Sequence, residues 1–357
     1  MTHLLLGEAA PWFIAQSHVN PKFAFSSLGG RYVLLGFLPD DGAQAQAALA
    51  TARRHQGLLD DEHLCAFLVT RDPATYARET SGAGLRWFLD TEGAIGQAYG
   101  VAQPMWFLLD PSMRLLSMAP LKDTEAMFAR LEGLEAVDDH AGVPLHAPVM
   151  IVPRIFEPDL CRRLIAHYEA QGGAPSGVMR EVDGKTVGVL DDFKKRRDAS
   201  IEEPAFRDAL RARIERRLLP EIRKAYQFRA TRIERYIVAC YDAAEGGYFR
   251  PHRDNTTKGT AHRRFAVSIN LNAHEFEGGD LRFPEFGQRT YRPPTGGAVV
   301  FSCSLLHEAT PVTRGRRYAF LPFLYDEAGD AIRRENLQHL VLEPVAEAVA
   351  GGMKFCS

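Results

Sequence analysis

Gly246-Gly247-Tyr248-Phe249-Arg250-Pro251-His252-Arg253-Asp254-Asn255 decides how this chain is read. After a glycine pair comes a short run of strand character that ends in a histidine and, two residues on, a carboxylate. Side chains at i and i+2 of a strand share a face, so His252 and Asp254 can grip one ion together. The pair alone is weak, because a chain with 12 histidines is expected to contain a His-x-Asp by chance. Its meaning comes from what surrounds it.

Downstream, short strand signals follow at close spacing: 233–241, 248–252, 265–271, 280–283, 290–292, 298–302, 308–312 and 317–325. Gly246-Gly247, Gly278-Gly279, Gly296-Gly297 and Gly315 punctuate them. Eight short strands so divided predict a sandwich or barrel. A second histidine, His307, opens a late strand. Two histidines and one carboxylate with open positions make the facial triad of non-haem Fe(II) oxygenases, while zinc would favour a tetrahedral site. Ligand count does not separate the two. An arginine on the next strand, Arg316 or Arg317, tips the balance, since a guanidinium there can hold the far carboxylate of a dicarboxylate cosubstrate.

The run from Ile233 to Tyr325 resembles the Fe(II)/2-oxoglutarate dioxygenases of the prolyl 4-hydroxylase-like branch. The matching pieces are Ala239-Cys240-Tyr241, Gly247 to Asn255, Gly278-Gly279-Asp280-Leu281-Arg282-Phe283-Pro284, Leu306-His307-Glu308-Ala309-Thr310-Pro311-Val312 and Arg316-Arg317-Tyr318-Ala319. The resemblance implies His252, Asp254 and His307 as iron ligands and Arg317 as partner of the 2-oxoglutarate C5 carboxylate. It implies Tyr241 as a wall of the cosubstrate pocket, against a rival reading as core packing. Asn270 stands where some relatives have a second tyrosine. Arg316, the neighbour on an alternating strand, is expected to face solvent. Fe(II), 2-oxoglutarate and O2 are the implied requirements, with ascorbate as an optional accessory. The implied acceptor is a prolyl or related residue in a protein or peptide; a free amino acid or small metabolite is the alternative. A non-catalytic metal-binding β-fold used for protein contacts is a reading from another class.

Upstream of this core, Val149–Val152 reads as a strand and 158–170 as a helix opened by Pro158. Residues 172–200 are polar, contain five glycines and end in Lys194-Lys195-Arg196-Arg197, which predicts a mobile loop; the resemblance to the hydroxylases implies that it folds over a peptide substrate as a lid, its basic run either favouring an acidic or backbone-rich peptide or forming a solvated surface. A helix over 204–226 is expected to kink at Pro220. The arginines of that helix read as a solvated face.

Residues 1–135 alternate strands (31–38, 64–70, 85–89, and a hairpin over 105–118) with helices (43–55, 73–80, 94–99, 123–131), the pattern of an α/β layer. Gly7 to Phe13, Arg31 to Pro39 and Asp90 to Val101 resemble the thioredoxin-like fold of peroxiredoxins. That family's chemistry needs Pro-x-x-x-Thr/Ser-x-x-Cys, and counting from Pro39 those positions hold Ala43 and Gln46. The resemblance thus implies the fold and speaks against the activity. Cys65, inside an apolar strand, reads as a core residue, and a thiol peroxidase using Cys65 or Cys356 is disfavoured.

The fold expected is α/β plus α+β: a thioredoxin-like domain over 1–135, a linker near 133–147, and a double-stranded β-helix (jelly-roll) domain with flanking helices over 148–357, its catalytic core at 233–325. At 357 residues, two domains are the prior. Hydrophobic content of 46% and charged content of 25% are those of a globular protein. A net charge of −2 gives no reason to expect nucleic acid or a membrane surface as partner. Five scattered cysteines without C-x-x-C argue for a reducing compartment. No apolar run is long enough to span a bilayer, and the first residues lack a basic region, so a cytoplasmic location is expected.

Overall fold

The computed structural model describes residues 4–39 and 42–341. They divide into two compact units, the first built mainly from the described residues up to 147, the second mainly from 148–283 and 289–341.

The first unit is a mixed α/β layer. Its sheet runs Leu85–Leu89, Leu64–Thr70, Tyr32–Phe37, Met105–Leu109, Leu115–Pro120. The first three are parallel and the last two join antiparallel as a hairpin. Tyr32–Phe37 and Leu64–Thr70 are buried along their whole length. Being covered on both faces is what makes them continuous apolar runs instead of alternating ones. Ala43–Arg54 and Thr124–Leu131 pack Ala48, Ala52, Met127 and Phe128 on one face. Phe25, Phe67 and Phe88 fill the other. Cys65 lies fully buried in the second strand, and burial pushes its thiol up to about 12.

The second unit is an antiparallel, β-rich double-stranded β-helix. Its larger sheet includes Arg232–Glu234, Phe323–Tyr325, Phe265–Asn270, Val312–Phe320, Ile237–Asp242 and Arg197–Ser200 in that order. The smaller one runs Lys194–Lys195, Tyr248–His252, His307–Ala309, Leu281–Arg282, Thr290–Tyr291. The helices Pro158–Gln171 and Pro204–Arg217 bury Leu160, Leu164, Leu210 and Ile214 with Val238, Cys240, Val267, Ile269 and Phe320. That cluster fixes one face of the larger sheet as the helix side. Alternate residues on the same strands, Tyr241, Ser268 and Arg317 among them, point to the other face. At Gly278 (φ +66) a side chain would meet the Pro311 carbonyl at 2.1 Å, so only glycine turns the chain there toward Leu281–Arg282.

Three expectations need correction. The stretch 172–200 is not a loop: it forms the hairpin Val178–Val182/Lys185–Val189 and the strands Lys194–Lys195 and Arg197–Ser200, which extend both sheets. Its basic run is not a solvated surface, because Lys194 and Arg196 are buried and only Lys195 is exposed. The strand expected over 233–241 is interrupted at Arg235 (φ +53), and the one over 317–325 begins at Val312 and breaks after Phe320. The long helix ends at Arg217 and restarts at Leu219, just ahead of Pro220. A proline at that point cannot donate to the preceding turn.

Candidate active site

His252 ends its strand directly opposite His307 on the neighbouring one. Asp254 is held two residues on, its amide donating to the Cys303 carbonyl at 2.9 Å. One imidazole or carboxylate atom from each of the three lies within 4.8 Å of the others. His252 Nε2 is 3.6 Å and His307 Nε2 3.3 Å from the two Asp254 oxygens.

Both rings are oriented from behind. Nδ1 of His252 donates to the Arg250 carbonyl (2.7 Å), and Nδ1 of His307 to the Leu305 carbonyl (3.0 Å). This fixes the tautomer with both Nε2 lone pairs turned toward Asp254, the arrangement a metal-binding histidine needs. Phe249 stacks on His252 with centroids 3.4 Å apart, and Phe301 meets His307 at 4.6 Å. Burial, then the neighbouring His307, hold the His252 imidazole down to about 4. Burial alone would raise Asp254, but His307 and His252 outweigh it and hold the carboxyl well below its usual range. Two imidazole nitrogens and one carboxylate, convergent and largely shielded, fit a divalent cation with open positions left over.

Tyr241 pairs with Arg317 across neighbouring strands of the larger sheet. Arg317 is 2% exposed, and its guanidinium carbon lies 5.2 Å from the Tyr241 ring centroid. Nη2 donates to Ser268 Oγ at 2.8 Å and Nε to Asn270 Oδ1 at 3.3 Å. Among the described residues no carboxylate forms an ion pair with it, and burial pushes its pKa down. A buried cation with neutral partners only is costly without an anion, so this site fits a carboxylate ligand. Asn270, whose Nδ2 donates to the Pro293 carbonyl at 3.1 Å, supports the guanidinium. Arg316 points the other way: its side chain is 53% exposed and pairs with Asp242 at 2.7 Å.

His262 lies elsewhere, bound to Glu234 at 2.7 Å, and no metal-binding group among the described residues includes it or His274. Ser268 escaped the reading of the sequence, and Lys194 and Arg196, read there as part of a basic loop, are buried. Arg196 donates toward Tyr241 Oη at 3.4 Å and forms a two-point pair with Asp198, at 2.7 and 2.6 Å. Ser268 sits two positions before Asn270 on a strand, the one signal that placed it on the same face.

Residues 236–325 match the model of the 2OG-Fe(II) oxygenase superfamily. They carry a 2OG-Fe(II) oxygenase domain, and the chain is an enzyme of that class, requiring Fe(II) and 2-oxoglutarate. Within the class its similarity runs to the PKHD-type hydroxylases. One from Synechococcus sp. is 28% identical over 180 residues, 49% of this chain and 75% of that protein. Another, from Cupriavidus metallidurans, is 35% identical over 118 residues, 30% of this chain and 52% of that protein. Among solved structures, a Pseudomonas putida prolyl-4-hydroxylase is similar at 22% identity with a TM-score of 0.36, covering 53% of this chain and 96% of that one. No helix among the described residues is long and apolar enough to cross a membrane.

Proposed function

We propose that this enzyme hydroxylates a prolyl or related residue of a protein or peptide, with His252, Asp254 and His307 as metal ligands and Arg317 as the anchor of 2-oxoglutarate. The observation that carries the reading is the convergence of the three ligand atoms, joined by a buried arginine that has no carboxylate partner among the described residues. When bound, Fe(II) with 2-oxoglutarate and O2 supplies the oxidation of a C–H bond to C–OH, with succinate and CO2 released. The chain's own residues orient and enclose. Arg250 and Leu305 carbonyls hold both imidazoles in the ligating tautomer. Arg317 meets the far carboxylate of the cosubstrate by charge-assisted bonds, Ser268 and Asn270 hold its fork in place, and Tyr241 forms the adjoining wall. Phe249, Phe283 and Phe301 shield the histidines from water.

The test is succinate release from 2-oxoglutarate in the presence of proline-containing peptides, compared with free amino acids. Turnover driven by free proline and not by peptides would move the acceptor to a small metabolite. The hairpin Val178–Val182/Lys185–Val189 takes the place of the expected loop as the element that covers a bound peptide; its Val182 is 45% exposed. The first unit is, in this reading, a degenerate peroxiredoxin-like, thioredoxin-fold domain that recruits or docks substrate. Ala43 and Gln46 lie in its first helix and Cys65 is buried, so no described thiol is placed for peroxide reduction; Cys356 lies outside the described residues. The four described cysteines are all free and buried, which supports a reducing, cytoplasmic setting.

A further inference from the structure

The interior of the second unit holds more positive charge than the cofactors account for. Five cations face it or are buried beside it: Lys194, Arg196, Arg235, Arg263 and Arg317. Three carboxylates accompany them: Asp198, Glu234 and Asp254. Arg196 is matched by Asp198, and Arg263 by Glu234 at 2.9 and 2.6 Å. Lys194, Arg235 and Arg317 form no ion pair among the described residues, and only Asp254 is left to offset them. Burial disfavours the charged form of Lys194; divalent iron and doubly charged 2-oxoglutarate cancel one another, so a surplus of about one positive charge, carried by Arg235 and Arg317 against Asp254, remains after both bind. Unmatched charge withdrawn even partly from water is costly.

Arg235 is the cation whose position has been arranged. The strand that should run on from Ile233 breaks at this residue, which takes φ +53. A bulky side chain in the left-handed region is strained. The break turns two consecutive side chains to the same face. Glu234, opposite Phe323, and Arg235 both lie on the inner face, while Ile233 and Tyr236 pack into the helix-side core. Arg235 Nε is spent on the Leu321 carbonyl at 3.0 Å, and its guanidinium carbon lies 4.2 Å from the Phe323 ring centroid. Arg263, 4.0 Å from the same ring, reaches the Asp254 carbonyl at 3.3 Å and so ties this corner to the metal site. The Nη groups of Arg235 keep no protein partner among the described residues, and the side chain is half-buried. Lys194, on the smaller sheet, lies 5.0 Å from the Phe249 ring that stacks on His252. Its Nζ donates to Ser176 Oγ (2.7 Å) and the Gly177 carbonyl (2.9 Å), so it is not free to receive a ligand.

We propose that the acceptor substrate is a carboxylate-bearing molecule or segment and that Arg235 receives its carboxylate through the two free Nη groups. The planar fork suits a planar oxyanion. The inference rests on the oxygenase reading above and narrows its acceptor to an acidic one.

The test uses the whole chain loaded with Mn(II) and 2-oxoglutarate, titrated calorimetrically with N-acetyl-L-glutamate and with its uncharged counterpart, N-acetyl-L-glutamine amide. The acid should bind at least about tenfold tighter than the amide. Arg235→Gln should erase that preference, and Arg235→Lys should restore part of it. Both variants should keep the wild-type affinity for 2-oxoglutarate, which also shows that they fold. Equal affinity for acid and amide, no heat from either, or an acid preference that survives Arg235→Gln would overturn the inference. Failure of 2-oxoglutarate itself to bind the wild-type chain would instead strike the oxygenase reading beneath it.

Discussion

Replacing Arg317 by methionine should separate two properties that usually fall together. Arg317 is buried, its bonds go to neutral Ser268 and Asn270, and burial works against its charge. Removing it takes an unmatched cation from the interior and keeps most of the side-chain volume, so the free protein should melt no lower than the parent. Binding is another matter. A hydrogen bond to a charged group is worth about 1.5–3 kcal/mol net, or about 10–100-fold in affinity. At 2-oxoglutarate one hundred times the parental Kd, ligand linkage stabilises the parent by about 2.7 kcal/mol. A variant weakened 100-fold gains only about 0.4 kcal/mol at that concentration. For a unit of this size each kcal/mol moves Tm by about 2–4 °C. The parent should therefore rise by about 5–11 °C on adding 2-oxoglutarate with Mn(II), and Arg317→Met by about 1–2 °C. Differential scanning fluorimetry with and without the cosubstrate reads both quantities. A variant that melts lower when free and keeps the full ligand shift would refute the assignment and make Arg317 a structural residue. Arg316→Ala, on the exposed face, should change neither value.

Three further outcomes follow from the same geometry. His252→Ala and Asp254→Ala should each lose Fe(II) retention, measured as metal content after desalting; a single variant that keeps near-stoichiometric iron would remove that residue from the ligand set. Asp198 should be a source of acid sensitivity. Burial alone would raise its carboxyl, yet Arg196 and Lys194 outweigh it and hold it at about 2. A depressed acid contributes stability that is complete above the ordinary carboxylate value of about 3.9 and is lost as pH falls toward 2. That amounts to at most about 2–3 kcal/mol, and Asp198→Asn should flatten the acid limb of the stability–pH curve by up to that amount. Finally, hydroperoxide reduction should not exceed that of a generic thiol, and it should not change in Cys65→Ser; rapid turnover abolished by that substitution would restore peroxidase chemistry to the first unit.

Much of the fold was legible because its signals were local. Continuous apolar runs such as Leu64–Thr70 announced strands covered on both faces, and Gly-Gly pairs marked the turns of the β-rich unit. The candidate metal-binding group was legible as well, since His252 and Asp254 lie two apart and His307 opens a strand of its own. What escaped was non-local. The edge strands over 172–200 are short, half-exposed and glycine-bearing, so composition argued for a loop. Yet Asp183-Gly184, with φ +49 and +74, is a strong hairpin-turn signal between alternating flanks. Lys194 and Arg196 looked like a solvated charge run because nothing in a linear sequence shows that Ser176 and Asp198 will close around them. Arg235 was hidden for a related reason. Its strand carries no glycine to advertise a break, and the left-handed turn is imposed by the surroundings.

The most direct measurement is the anaerobic absorption spectrum of the Fe(II)-loaded chain as 2-oxoglutarate is added. A visible charge-transfer band should appear only when both are present, saturate with one cosubstrate per chain, and be absent from His252→Ala and weakened in Arg317→Met. A spectrum that 2-oxoglutarate leaves unchanged, in a chain shown to hold iron, would contradict the account at its centre.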